Sequence, residues 1–195
     1  MQFSKFFRKI ISLAMSSFST TSEYKPPDFW HFPPFFTVQP SVVTREKQMR
    51  LWRDIVLDYH RNTNTHTLSL SSFSLFENPF ISRKLTDEGR RIVANYLISK
   101  GNAEWIDTSQ TILRIIVKHP EELAEEIYKW WRDSGSAYGN IFTFYELHSG
   151  EEHQGSGFCG TDPDLIGRAA AILQLRGKCV ILEGENGEED GIKFL

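Results

Sequence analysis

With 195 residues, 40% of them hydrophobic and 24% charged, the chain has the composition of an ordinary soluble globular protein and excludes a disordered or membrane-embedded one. Two cysteines, Cys159 and Cys179, are too few for a disulfide framework, so a reducing compartment is the default. The net charge of −3 divides unevenly, with 15 acidic and 6 basic residues from His119 onward, giving −9 there and +6 before it; an acidic half is a poor partner for a phosphate backbone.

Met1 to Ser22 carries Lys5, Arg8 and Lys9, no acid, and a short apolar run from Ile10 to Met15 that cannot span a bilayer. Such a start occurs in mitochondrial presequences and in secretory signals. The missing small-residue cleavage site and the step into Lys25-Pro26-Pro27 favour a disordered leader over residues 1–27, and a start at Met15 would remove most of it.

Trp30-His31-Phe32-Pro33-Pro34-Phe35-Phe36 follows. Pro33 and Pro34 fix φ and lack a backbone N–H, which excludes a helix interior or a central strand. The stretch is expected to be extended and polyproline-like, and short proline-rich, aromatic-flanked segments serve as ligands for grooves on other domains. From the residues alone, docking into a partner and folding back as a hydrophobic lid stand level.

Thr44 opens a helix with Trp52, Ile55, Val56 and Tyr59 on one face. An extended piece at 67–70 precedes a second helix predicted over Ser71 to Phe76. Thr86 caps a third, with Ile92, Val93, Tyr96 and Leu97 inward and Gly101 past its end. Strands are predicted over 103–106 and 111–117, joined by a turn at 107–110. Downstream, Pro120 opens a helix bearing Leu123, Ile127, Trp130 and Trp131. A strand is predicted at 143–145, with a helix starting over 145–148. Asp162 and Pro163 open another helix, with Leu165, Ile166, Ala169, Ile172 and Leu173 inward and Gly177 closing it; strands at 178–182 and 192–195 end the chain. Thr44 and Pro120, Thr67 and Thr143, Thr86 and Asp162, and Gly101 and Gly177 are each 76 positions apart.

Helix, strand, two helices and a two-stranded wing make the winged-helix order, a variant of the helix-turn-helix. The expected fold class is therefore α+β, mostly α, with two tandem winged-helix domains over 28–118 and 119–195. A DNA-binding transcription regulator is the alternative use, with Arg83, Lys84, Arg90 and Arg91 near the front of the first unit's third helix. Asp162 and Asp164 at the corresponding helix of the second unit oppose it. His148, His153 and Cys159 fit no common zinc spacing, Gly155-Ser156-Gly157 lacks a nucleophile-elbow setting, and the acidic run from Glu183 to Asp190 lacks the alternation of a calcium loop. No catalytic grouping stands out.

An ordered set of short matches runs from Trp30 to Leu195: Phe32-Pro33-Pro34-Phe35-Phe36-Thr37-Val38-Gln39-Pro40, Thr44-Arg45 with Lys47-Gln48, Arg83-Lys84-Leu85, Lys100-Gly101, Ala103-Glu104-Trp105, His119-Pro120-Glu121-Glu122, Ile127-Tyr128 with Trp130, Phe142-Thr143, Tyr145-Glu146-Leu147 and Gly191-Ile192-Lys193-Phe194. With these the chain resembles the vacuolar protein sorting-associated protein 25 family, the small subunits of the ESCRT-II complex. The resemblance implies a non-catalytic subunit with no cofactor and no metal, present as two copies beside one each of the vacuolar protein sorting-associated proteins 22 and 36. It implies that the N-terminal segment docks into the larger subunits, with Pro33, Pro34, Phe35 and Phe36 at the matching positions and Phe32 and Trp30 beside them. It further implies that the second domain engages an ESCRT-III subunit, vacuolar protein sorting-associated protein 20, during sorting of ubiquitinated cargo into multivesicular bodies, in the cytoplasm and at the endosomal membrane. Two departures from the family pattern are the long leader and Trp131, which is either additional core or an exposed anchor; the broad apolar stripe of its helix favours core.

Overall fold

The computed structural model describes residues 24–134, 139–150, 156–184 and 190–195. The expectations placed on residues 1–23, on His153 and Gly155, and on 185–189 of the acidic run lie outside them.

In the first unit α1 (Val42–Thr63) leads to β1 (Thr67–Ser69), the short hairpin strands β2 (Glu77–Asn78) and β3 (Arg83–Lys84), α2 (Asp87–Ser99), β4 (Ala103–Trp105) and β5 (Ile112–Ile115). In the second, α3 (Pro120–Asp133) is followed by β6 (Ile141–Thr143), α4 (Phe144–Ser149), α5 (Pro163–Leu175), β7 (Cys179–Leu182) and β8 (Gly191–Phe194). Local chemistry sets the main boundaries. The Thr86 hydroxyl accepts from the Gly89 N–H at 3.1 Å at the start of α2, and the Asp162 carboxylate accepts from the Asp164 N–H at 3.0 Å at the start of α5. Beyond the two helices Gly101 and Gly177 sit at φ +71° and +65°, a left-handed backbone that glycine adopts without steric cost.

Each unit builds a three-stranded antiparallel sheet in the same order, β1-β5-β4 and β6-β8-β7. The rows Thr67–Arg114–Glu104 and Leu68–Leu113–Trp105 of the first correspond in register to Ile141–Lys193–Val180 and Phe142–Ile192–Ile181 of the second. The repeat is real, but its offset is not constant. It is 76 for the third helix of each unit and for β4 and β7, yet Thr67 matches Ile141, 74 positions on, and Arg114 matches Lys193, 79 positions on. Loops of unequal length shift the first edge strand and the central strand, while helix, glycine cap and the following edge strand move as one block.

The second helix differs between the units. No helix forms over Ser71–Phe76; a 3-10 turn at Ser74–Phe76 runs into the β2–β3 hairpin. Ser69, Ser71, Ser72 and Ser74 give this segment side chains that compete for backbone hydrogen bonds, and Pro79 blocks any extension. In the second unit α4 does form, because Thr143 and Glu146 make a reciprocal capping box, and the strand before it ends at Thr143 rather than Tyr145.

Two apolar cores result. Trp52, Val56, Leu68, Phe76, Leu85, Leu97 and Leu113 centre the first, and Leu123, Leu147, Phe158, Ile166 and Phe194 the second. Ile115 and Val117 pack on the first and Ile116 between them on the second, so this stretch is shared by both cores. Trp131 lies flat on Phe194, ring centroids 4.8 Å apart, and donates Nε1–H to the Gly139 carbonyl; it is part of the second core's edge.

An ionic clasp joins the units. Glu104 on β4 receives a bidentate pair from Arg168 on α5 at 2.7 and 2.8 Å, and Arg114 on β5 reaches Glu104, Asp162 and Asp164 at 2.9, 3.0 and 2.7 Å. Arg168 and Arg114 together hold the Glu104 carboxyl below the usual range. Lys118 extends the junction to Glu126 and to the Gly157 carbonyl.

Candidate functional site

The proline-aromatic segment does not run as an extended polyproline stretch. It forms two consecutive 3-10 turns, Asp28–His31 and Pro33–Phe36, with Phe32 between them. The Phe35 N–H donates to the Phe32 carbonyl at 2.9 Å and the Thr37 N–H to the Pro34 carbonyl at 3.2 Å. Pro33 and Pro34 occupy the first positions of the second turn, where a missing N–H leaves no bond unmade and a fixed φ suits the turn.

The turns sort the six expected docking residues onto two sides. Trp30, Phe35 and Phe36 point into the first unit's core and are 6%, 5% and 3% exposed. The Phe35 ring stacks on Trp52 at 4.3 Å, Phe36 meets the same indole edge-on at 5.8 Å, and Trp30 donates Nε1–H to the Leu75 carbonyl at 2.9 Å. These three side chains are buried in their own polypeptide instead of standing free for a neighbour. The physical reason is the packing surface that α1 offers: Trp52, itself fully buried, needs rings over it, and the segment supplies them. Phe32, 60% exposed, with Pro33 and Pro34, forms the outer ridge. Beside it the His31 ring contacts Phe80 of the β2–β3 hairpin, and Phe80 is 83% exposed.

Two buried polar residues that sequence reasoning missed hold the ridge in place. Gln48, on the inner face of α1, donates Nε2–H to the carbonyls of Phe35 and Thr37 at 2.8 and 2.9 Å, and its Oε1 accepts from the Gln39 N–H. Asn78 donates to the Trp30 carbonyl at 3.0 Å while its Oδ1 accepts from the Phe80 N–H. The signal available for Gln48 was an amide beside Met49 on an otherwise apolar helix face; a buried amide must find partners, and here the partners are the turn carbonyls.

Beyond the buried Phe36 lies a groove of about 530 Å³ lined by Phe36, Val38 and Ile92, by the cations Arg45, Arg83 and Lys84, and by one carboxylate, Glu88. Among the described residues none of these three cations has an ion pair. Three cations against one carboxylate leave the groove net positive, which suits a partner surface carrying an acid.

The other sequence-level candidates disperse. Arg90 is not available to read a base: its guanidinium donates to the carbonyls of Leu70, Ser71 and Leu85 and lies over Phe76. Asp162 and Asp164 sit within the clasp. His148 directs Nδ1 at the Thr161 carbonyl, and Cys159 is half-buried near it. Among the described residues no three of His, Cys, Asp and Glu group as a metal site, and no helix is long and apolar enough to cross a membrane.

Comparison with known proteins places this geometry in a family. The family model described as "ESCRT-II complex subunit" matches residues 29–162. The vacuolar protein-sorting-associated protein 25 of Xenopus laevis is 38% identical over 168 residues, 85% of this chain and 95% of that one. A crystal structure of subunit VPS25 of the endosomal trafficking complex ESCRT-II superposes with a TM-score of 0.75 at 27% identity, covering 87% of this chain and 98% of the other. A chain of the crystal structure of the endosomal complex ESCRT-II (VPS22/VPS25/VPS36) does so with a TM-score of 0.70 at 27% identity and the same coverage. Two repeated winged-helix units, the proline-aromatic turns at their head, and identity that runs nearly the full length of its relatives establish that this chain belongs to the vacuolar protein sorting-associated protein 25 family of ESCRT-II complex subunits.

Proposed function

We propose that the chain is a non-catalytic adaptor in ESCRT-II, attached at one end to the larger subunits and relaying that attachment through its second winged-helix unit. The observation that carries the reading is the two-sided head: Trp30, Phe35 and Phe36 fix the turns to the first core, and Phe32, Pro33 and Pro34 stand out from it as a rigid ridge. A ridge held by buried rings and by Gln48 meets its socket with little ordering cost. The partners of this end are the vacuolar protein sorting-associated proteins 22 and 36, in line with the three-subunit complex named for a matching structure, with two copies of this chain to one of each.

The second unit recruits and nucleates ESCRT-III through vacuolar protein sorting-associated protein 20, in the sorting of ubiquitinated cargo into multivesicular bodies. The protein works in the cytoplasm and reaches the endosomal membrane through its complex. Native mass spectrometry of the chain mixed with both larger subunits tests the reading. A mass equal to two copies of this chain plus one of each supports it; failure to co-assemble overturns it.

A further inference from the structure

A hydroxyl stands among the cations of the groove beside Phe36. Thr86 lines it together with Arg45, Arg83 and Lys84, and Thr86, Arg83 and Lys84 are all exposed. Arg83 and Lys84 make up β3, an extended pair that runs into the buried Leu85 and then Thr86. No other serine or threonine of the chain has an arginine three positions before it. Thr86 also caps α2, its Oγ1 accepting from the Gly89 N–H at 3.1 Å, so the hydroxyl oxygen is fixed in position.

We propose that Thr86 is a phosphorylation site, and that the phosphate it receives is held in the groove by Arg45, Arg83 and Lys84. The donor is a nucleoside triphosphate on a protein kinase that reads basic residues ahead of the acceptor. The Thr86 Oγ1 attacks the γ-phosphorus and the bond from that phosphorus to the β-phosphate oxygen breaks. Nucleoside diphosphate leaves, and the hydroxyl proton passes to the general base of the kinase. Charge argues where the phosphate goes. Three cations and the Glu88 carboxylate leave the groove lining at +2, and a phosphothreonine brings about −1.5 to −2 near neutral pH. None of the three cations has an ion pair among the described residues to give up, and guanidinium groups match phosphate oxygens bidentately. Asp87, the next residue, has its side chain almost wholly in water, where its repulsion is screened. A filled groove no longer attracts an acid, so the modification weakens attachment to the larger subunits; this consequence alone rests on the adaptor reading.

Incubation of the intact folded chain with ATP and the catalytic subunit of cyclic-AMP-dependent protein kinase, followed by peptide mass mapping, tests the site. A phosphoryl group on Thr86 is expected, with Arg83→Ala slowing its transfer at least tenfold. Thr86→Asn, which keeps a capping oxygen, is expected to melt as wild type and to take up none at this position. No transfer to Thr86 of the wild-type chain overturns the site. Phosphorus NMR of the phosphorylated chain then reads the groove. The second ionisation of the phosphate is expected to fall clearly below its value of about 6 in the same chain unfolded in urea, and Arg45→Ala is expected to return it part of the way. Equal midpoints in the folded and unfolded chain overturn the pairing with the cations. Calorimetry against the larger subunits is expected to find the phosphorylated chain bound at least tenfold more weakly, with recovery after phosphatase treatment. Equal affinity overturns the effect on attachment; no binding by the unmodified chain overturns the adaptor reading and leaves the phosphate site standing.

Discussion

Phe35 and Trp52 lie almost parallel, their planes 17° apart and centroids 4.3 Å apart, and the Trp52 Nε1–H donates to the carbonyl of Phe35 at 3.3 Å. One residue thus packs its ring on the indole face and gives its carbonyl to the indole edge. That double contact fixes the register of the proline turn against α1.

Phe35→Ala is accordingly expected to act on the fold of the first unit. Removing a buried phenylalanine costs about 3–5 kcal/mol, and here it also bares Trp52. Urea denaturation of the isolated chain should show the loss with no partner present. A variant with wild-type stability would mean that the ring contributes nothing to its own core.

Phe32→Ala should do the reverse. Its ring is mostly in solvent in the free chain, so stability should stay within about 0.5 kcal/mol of wild type. Attachment to the larger ESCRT-II subunits should weaken by about 2 kcal/mol, roughly thirtyfold, if the ring is a buried anchor at the interface. Calorimetry of the variant against the larger subunits measures it, and wild-type affinity would remove Phe32 from the docking ridge.

The contrast between these two phenylalanines marks where sequence reasoning stops. Thr86, Asp162, Pro120, Pro163, Gly101 and Gly177 act on backbone groups within a few residues, so helix starts and ends could be read from them directly. Phe35 and Phe32 are both phenylalanines next to proline, and nothing local separates the ring that packs on Trp52, 17 positions away, from the one that faces water. Asn78 is equally silent, because its partner is the carbonyl of Trp30, 48 positions back. The absent helix over Ser71–Phe76 was legible in its serines, but the winged-helix order argued against them. The two-unit architecture itself came through because each copy repeats the same local signals.

Glu104 holds two arginines, one from each unit, and its removal should loosen the pair. In Glu104→Ala, Arg114 keeps Asp162 and Asp164 while Arg168 loses its bidentate partner and keeps only Asp164. Small-angle scattering should then show a larger radius of gyration and a broader distance distribution than wild type. Raising the salt concentration should move the wild-type protein in the same direction, because the clasp is partly exposed and screened by ions. Identical scattering profiles for variant and wild type would show that apolar contact alone sets the angle between the units.

His60 and His66 make the fold sensitive to mild acid. Burial lowers both pKa values from the ordinary histidine range; around His66 the Asp162 carboxylate opposes that shift, and His148 and Arg114 reinforce it. A histidine that titrates lower in the folded chain than in the unfolded one binds fewer protons when folded. Its contribution is complete above the unfolded value of about 6.5 and is lost as pH falls below it. Unfolding free energy should therefore decline from pH 7 to pH 5.5, with a slope of at most about 1.4 kcal/mol per pH unit for each proton taken up. The Glu104 carboxylate adds a separate loss further down, below the ordinary glutamate range, since its own pKa is depressed. His66→Gln should flatten the upper decline and leave the part due to His60, which Nδ1 and Nε2 contacts to the Val56 and Thr67 carbonyls hold in the core. Urea midpoints at half-unit pH intervals read the slope, and an unaltered slope in His66→Gln would assign the acid sensitivity elsewhere.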